Sequence, residues 1–120
     1  MSFAIENYFV FDMSIPDSIE YLNHGINFFS RQSEHEKKPV LYENCKGIWL
    51  DSFMSIWYSS KLIIDHLNHK KQVAIVSPEL HNRGHIPLWN MLRTKKILES
   101  DNVILCTDFL VEAKKFFDMI

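Results

Sequence analysis

Five times along this chain an apolar, β-rich run ends in a polar residue of the kind active sites use. The runs are Tyr8-Phe9-Val10-Phe11-Asp12, Ile26-Asn27-Phe28-Phe29-Ser30-Arg31, Gly47-Ile48-Trp49-Leu50-Asp51, Val73-Ala74-Ile75-Val76-Ser77-Pro78-Glu79 and Val103-Ile104-Leu105-Cys106-Thr107-Asp108. Most are separated by a segment with helical periodicity. Parallel strands buried on both faces read as continuous apolar runs rather than as alternation. The pattern therefore predicts an α/β fold of five parallel βα units. In such folds ligands sit at the carboxyl ends of the strands, which is where the polar residues fall.

The bulk properties narrow the function classes. With 47% hydrophobic and 23% charged residues, the composition is that of a folded domain rather than a disordered chain. Residues 1–120 read as a single α/β domain. A formal charge of −2 without a basic run removes the electrostatic case for nucleic acid. No apolar run approaches the ~20 residues that span a bilayer, and the first residues lack the basic start of a secretory signal. Cys45 and Cys106 make no disulfide framework, so a reduced, cytoplasmic protein is the expectation.

The connections carry their own signals. Ser14 or Ser18 caps a first helix that carries Ile19 and Leu22, and Gly25 stops it. A polar stretch, Gln32 to Pro39, leads to a short helix around Val40 to Asn44. Ser59 or Ser60 caps a helix that buries Leu62, Ile63 and Leu67, with Lys70 and Lys71 at its carboxyl end. Pro87 opens a helix that turns Leu88, Met91, Leu92 and Ile97 inward. A last helix, about Val111 to Met119, packs Ala113, Phe116 and Phe117. His66 and His69 read as surface residues of their helix, and Trp57 as a residue that could line a pocket.

The candidate site residues follow from these strand ends. Asp12, Asp51 and Asp108 either cap the helices after them or converge to bind a metal, move a proton or hold a substrate hydroxyl. Glu79, His81, Arg83 and His85 form the densest chemical segment. Glu79 could act as ligand or base, and Arg83 could fork onto a phosphate. The spacing of Glu79, His81 and His85 matches no strong zinc pattern, so no metal site is expected there. Arg31 either pairs with Glu34 or Asp51, or reaches a ligand. No Gly-rich phosphate loop, nucleophile elbow or dinucleotide fingerprint is present.

Several strings together resemble a known family. They are Tyr8-Phe9-Val10-Phe11-Asp12-Met13-Ser14-Ile15-Pro16-Asp17, Arg31-Gln32-Ser33-Glu34, Gly47-Ile48-Trp49-Leu50-Asp51, Val76-Ser77-Pro78-Glu79-Leu80-His81 and Cys106-Thr107-Asp108-Phe109. They resemble the carboxyl-terminal portion of the phospholipase-C-like phosphodiesterases, best known through the glycerophosphodiester phosphodiesterases. Many members have Pro after the last aromatic residue; this chain has Leu110. The resemblance implies a (β/α)₈ barrel of which this chain makes the last five βα units, a half-barrel. It also implies phosphodiester hydrolysis with a divalent metal such as Mg or Ca in the complete family. The family's His-Arg-Gly segment, Glu-x-Asp pair and following His-Asp segment have no counterpart here. His81-Asn82-Arg83-Gly84-His85 holds similar residue types at another position and spacing. The resemblance thus implies a chain inactive alone and without a cofactor of its own. Asp12, Arg31, Glu34, Asp51, Glu79, His81, Arg83 and Asp108 would contact a phosphorylated small-molecule substrate from the rim.

Five barrel strands cannot close. An open inner face carrying Phe9, Phe11, Trp49, Ile75 and Leu105 would leave several hundred Å² wet, at a cost on the order of 10 kcal/mol. The sheet must then flatten, pair with a second copy, or belong to a longer or split product with an amino-terminal half. The alternative fold is a flavodoxin-like, doubly wound open sheet serving as a signalling or interaction domain. Length and βα count resemble response-regulator receivers, with Asp51 as phosphoacceptor and Ser77 as switch hydroxyl. However, only Asp12 follows the first strand, where receivers have paired acids, and Asp108 stands where they have Lys. A non-catalytic interaction or remnant protein is the third possibility.

Overall fold

The computed structural model describes residues 1–4 and 28–118. Among these residues five strands form one sheet: β1 (Ser2–Ala4), β2 (Phe29–Gln32), β3 (Gly47–Leu50), β4 (Gln72–Val76) and β5 (Val103–Cys106). The order across the sheet is β2-β3-β4-β5-β1, and every pairing is parallel. The all-parallel α/β architecture expected from the apolar runs is present. Its arrangement is compatible with five parallel βα units and with an open sheet; β1 lies beside β5 rather than beside β2. The expected strand Tyr8 to Asp12 and the helix bearing Ile19 and Leu22 lie outside the described residues. The strand seen at the amino end is Ser2–Ala4, which the sequence reading did not assign.

Among the described residues four helices follow the strands: α1 (Ser60–Asn68), α2 (Ile86–Leu92), α3 (Lys95–Leu98) and α4 (Leu110–Asp118). A 3₁₀ turn, Pro78–His81, directly follows β4. Alternation along each strand sorts the apolar side chains onto two faces. Ile48, Leu50, Val73, Ile75, Val103 and Leu105 lie on one face, in a single cluster with Ile63 of α1, Leu88, Trp89 and Leu92 of α2, Ile97 of α3, and Ala113 and Phe117 of α4. All four helices therefore pack on the same face. Phe29, Trp49, Ala74, Val76 and Cys106 make the second face, joined by Leu80.

This sorting corrects one expectation. Trp49 lies on the opposite face from Ile75 and Leu105, so the three do not share an inner surface. Trp49 is only 3% exposed within the single chain, so the second face is not left in water. Burial of this face therefore does not require a second copy.

Gly47 makes the second face possible. It pairs with Phe29 on one side and Gln72 on the other. A Cβ there would lie 2.6 Å from the Gln72 carbonyl oxygen and 2.7 Å from Phe29 Cε2. The ring of Phe29 occupies the space where any other side chain would begin.

Local expectations differ in four places. Val40 to Asn44 is a run of turns, not a helix. Leu41 has φ 51°, and its carbonyl takes the amides of both Asn44 and Cys45 at 3.0 Å. Ser30 Oγ donates to the Val40 carbonyl at 2.6 Å and ties this turn to β2. Ile97 is buried as expected, but in the separate helix α3, because the chain breaks after Leu92. Lys71 is not a solvated cation at a helix end: it is buried, and its Nζ donates to the Cys45 carbonyl at 2.7 Å. His66 is buried too, whereas His69 is exposed.

Candidate functional site

The carboxyl ends of β2, β3, β4 and β5 meet at one edge of the sheet, and the sequence-nominated residues there form two hydrogen-bonded groups. The first joins the ends of β2 and β3 to the turn after β4. Asp51, 4% exposed, follows β3. Its Oδ1 accepts the Ser52 amide at 2.8 Å and His81 Nε2–H at 2.8 Å. The Asp51 carbonyl accepts Trp57 Nε1–H at 2.8 Å, so Trp57 braces this loop. Arg83 donates from Nη1 to the Ser52 carbonyl and reaches Ser52 Oγ from Nη2 at 3.4 Å. The His81 ring lies 4.8 Å from that of Phe53, which in turn lies 5.7 Å from His35.

Glu34 belongs to the same group. Its Oε1 accepts the Phe53 amide at 2.7 Å, and its Oε2 accepts those of Met54 and Ser55 at 3.2 and 3.4 Å. Burial works to raise the Glu34 pKa, but these amides together outweigh it and hold the carboxyl below its ordinary range. Arg31 pairs with Glu36, Nε to Oε2 at 2.9 Å, and not with Glu34 or Asp51. Arg31, Ser33, His35, Glu36 and Phe53 line an open cleft of about 470 Å³.

The second group ties β4 to β5. Trp89 Nε1–H donates to Ser77 Oγ at 2.9 Å, and Ser77 Oγ–H donates to Glu79 Oε1. From the other side, the Phe109 amide donates to Thr107 Oγ1 at 3.0 Å, and Thr107 Oγ1–H donates to Glu79 Oε2. The Asp108 amide adds a third donor to the carboxylate, at Oε2 and 3.1 Å. Glu79 is thus the acceptor on which two donor chains end. Asp108 contributes its main chain here, while the residue itself is exposed. Asp12 lies outside the described residues.

Two features were not legible in the sequence. The amide run Phe53 to Ser55 carries no side-chain signature, although it directly follows a strand end. Tyr58 is buried, and its hydroxyl has no hydrogen-bond partner among the described residues. Burial raises its pKa, and the charges of Asp51, Arg83 and Glu34 all act on it.

Chemically, His81 held by a buried carboxylate can take up and release a proton. Among the described residues, no group of three or more His, Cys, Asp or Glu is placed to hold a metal ion, and no helix is long and apolar enough to cross a membrane. Compared with protein-family models, curated proteins and solved structures, the chain finds no match.

Proposed function

We propose that the chain corresponds to the carboxyl-terminal βα units of a phospholipase-C-like phosphodiesterase barrel. On this reading its carboxyl edge binds a phosphorylated small molecule and does not by itself hydrolyse it. The observation that supports the reading is the chain-order run of parallel strands β2 to β5. Strands β2 to β5 are neighbours in chain order, and all four described helices pack on one face. A barrel wall is built this way, with strands in sequence and helices outside. The first strand, β1, departs from that order, since it lies beside β5 and not beside β2.

The cleft beside β2 and β3 holds Arg31, Ser33 and His35 as groups for a phosphate, which would compete with Glu36 for Arg31 and with Glu34 for the nearby backbone amides. Hydrolysis needs more. A nucleophile must be activated, the leaving oxygen protonated, and the charge on the phosphoryl oxygens neutralised. His81 with Asp51 could move one proton. The sequence has no His-Arg-Gly segment, and its Glu-x-Asp string, Glu99-Ser100-Asp101, precedes β5 and so lies away from the carboxyl edge.

Calorimetric titration with glycerol 3-phosphate and glycerophosphocholine, with and without Mg or Ca, tests the binding. A parallel turnover assay on bis-nitrophenyl phosphate tests the chemistry. Saturable binding without turnover is expected. Metal-stimulated turnover lost in Asp51→Asn, or no binding of either ligand, would overturn the reading.

A second reading, an interaction domain, has one observation in its favour. The exposed large apolar side chains of the described residues are Phe53, Met54, Ile86, Phe109 and Val111. All of them follow the carboxyl ends of β3, β4 and β5. Unchanged ligand binding in Met54→Ser together with Val111→Ser would speak against an apolar role for this edge in ligand recognition.

A further inference from the structure

We infer that the amides of Phe53, Met54 and Ser55 form a phosphoryl-binding nest that the chain's own Glu34 carboxylate occupies. This deepens the ligand reading above and rests on it for the ligand class.

The geometry of occupancy carries the argument. Three consecutive amides point at one side chain from another loop, nineteen to twenty-one residues away in sequence. Successive backbone N–H groups that converge in this way make an anion-binding concavity. Glu34 fills it imperfectly. Oε1 serves one amide at 2.7 Å, while Oε2 must serve two, at 3.2 and 3.4 Å. A carboxylate offers two oxygens to three donors. A terminal phosphoryl group offers three, one for each amide.

Basic side chains stand near the nest, with Arg31 already paired to Glu36 in the same cleft. Phe53, the first residue of the nest, also lines the cleft that holds Arg31 and His35. Its ring has the imidazoles of His35 and His81 as neighbours. Glu34 lies two residues beyond Gln32, the last residue of β2, and its side chain must turn away for a ligand to enter the nest. Because Glu34 is tethered, it competes at an effective concentration on the order of millimolar or higher. A free phosphoryl ligand must displace it, so the wild-type chain holds phosphate weakly.

The test is phosphate titration of ¹⁵N-labelled protein, following the amide signals of Phe53, Met54 and Ser55. In Glu34→Ala these three signals should move saturably with inorganic phosphate, with a Kd at least about tenfold below that of the wild type. Glu34→Gln keeps one oxygen in place and should fall between the two; it also serves if the alanine variant does not fold. Both variants folded, with these amides indifferent to phosphate, would overturn the inference. The two readings separate cleanly. Glycerol 3-phosphate binding that ignores Glu34 leaves the ligand reading standing without the nest. Phosphate binding gained in Glu34→Ala, without recognition of any phosphoester, leaves the nest without that function.

Discussion

The hydroxyl of Tyr42 lies 2.8 Å from Nδ1 of His66, which joins the turn before β3 to helix α1. On the other side of the ring, Nε2 is 2.8 Å from Gln32 Oε1, and Gln32 Nε2–H donates to the Lys37 carbonyl at 2.8 Å. A carbonyl oxygen can only accept, so His66 carries its proton on Nε2 and Nδ1 accepts from Tyr42. The neutral ring satisfies every partner. Burial, helped by the nearby His69 and Lys71, lowers its pKa from 6.5 to about 4 against the pull of Asp65.

This sets a pH dependence. The folded pKa is depressed, so the unfolded chain binds the proton more readily. Stability from this site is complete above about pH 6.5 and is lost as pH falls toward 4, by up to about 3 kcal/mol. Urea unfolding of the wild type and His66→Leu across that window checks it. The slope attributable to His66 should vanish in the variant; an unchanged slope contradicts the assignment.

Glu79 should matter for stability in graded fashion. Glu79→Ala strands the buried Ser77 and Thr107 hydroxyls and should destabilise by about 2–4 kcal/mol. Glu79→Gln keeps an acceptor for one of the two donor chains and should lose roughly half as much. Chemical denaturation of both variants measures the difference. Equal effects would mean that the two chains do not both depend on this carboxylate.

Gly47→Ala should destabilise by about 1–3 kcal/mol, because the new methyl meets the Gln72 carbonyl as well as the Phe29 ring. Adding Phe29→Leu relieves the ring contact but not the backbone contact. The double variant should therefore recover only part of the loss relative to Phe29→Leu alone. Full recovery would show that β3 and β4 can separate slightly at this point.

Tyr58→Phe should be neutral or stabilising by up to about 1 kcal/mol, since the buried hydroxyl has no partner among the described residues. Thermal unfolding decides. A marked loss of stability would reveal a hydrogen bond from this hydroxyl.

The strands were legible where composition alone specifies them. Ile48 to Leu50, Val73 to Val76 and Val103 to Cys106 are apolar at every position, as strands packed on both faces must be. Ser2–Ala4 is three residues long with one large apolar side chain, Phe3, so nothing local marks it. It becomes a strand by pairing with β5 in the sheet. Likewise Val40 to Asn44 has helical composition, but Ser30 and the Leu41 carbonyl hold it as turns.

The residue types at the carboxyl edge could also be read from the sequence, because the strand ends name them. Their partners could not. Arg31 lies closer in sequence to Glu34 than to Glu36, yet it pairs with Glu36. Glu34 instead reaches the amides after β3, and His81 reaches back to Asp51. Chain order determined which residues arrive at that edge, since apolar periodicity is a local property. The register of parallel strands brings residues about twenty to thirty positions apart into contact, and only the tertiary structure decided which carboxylate met which donor.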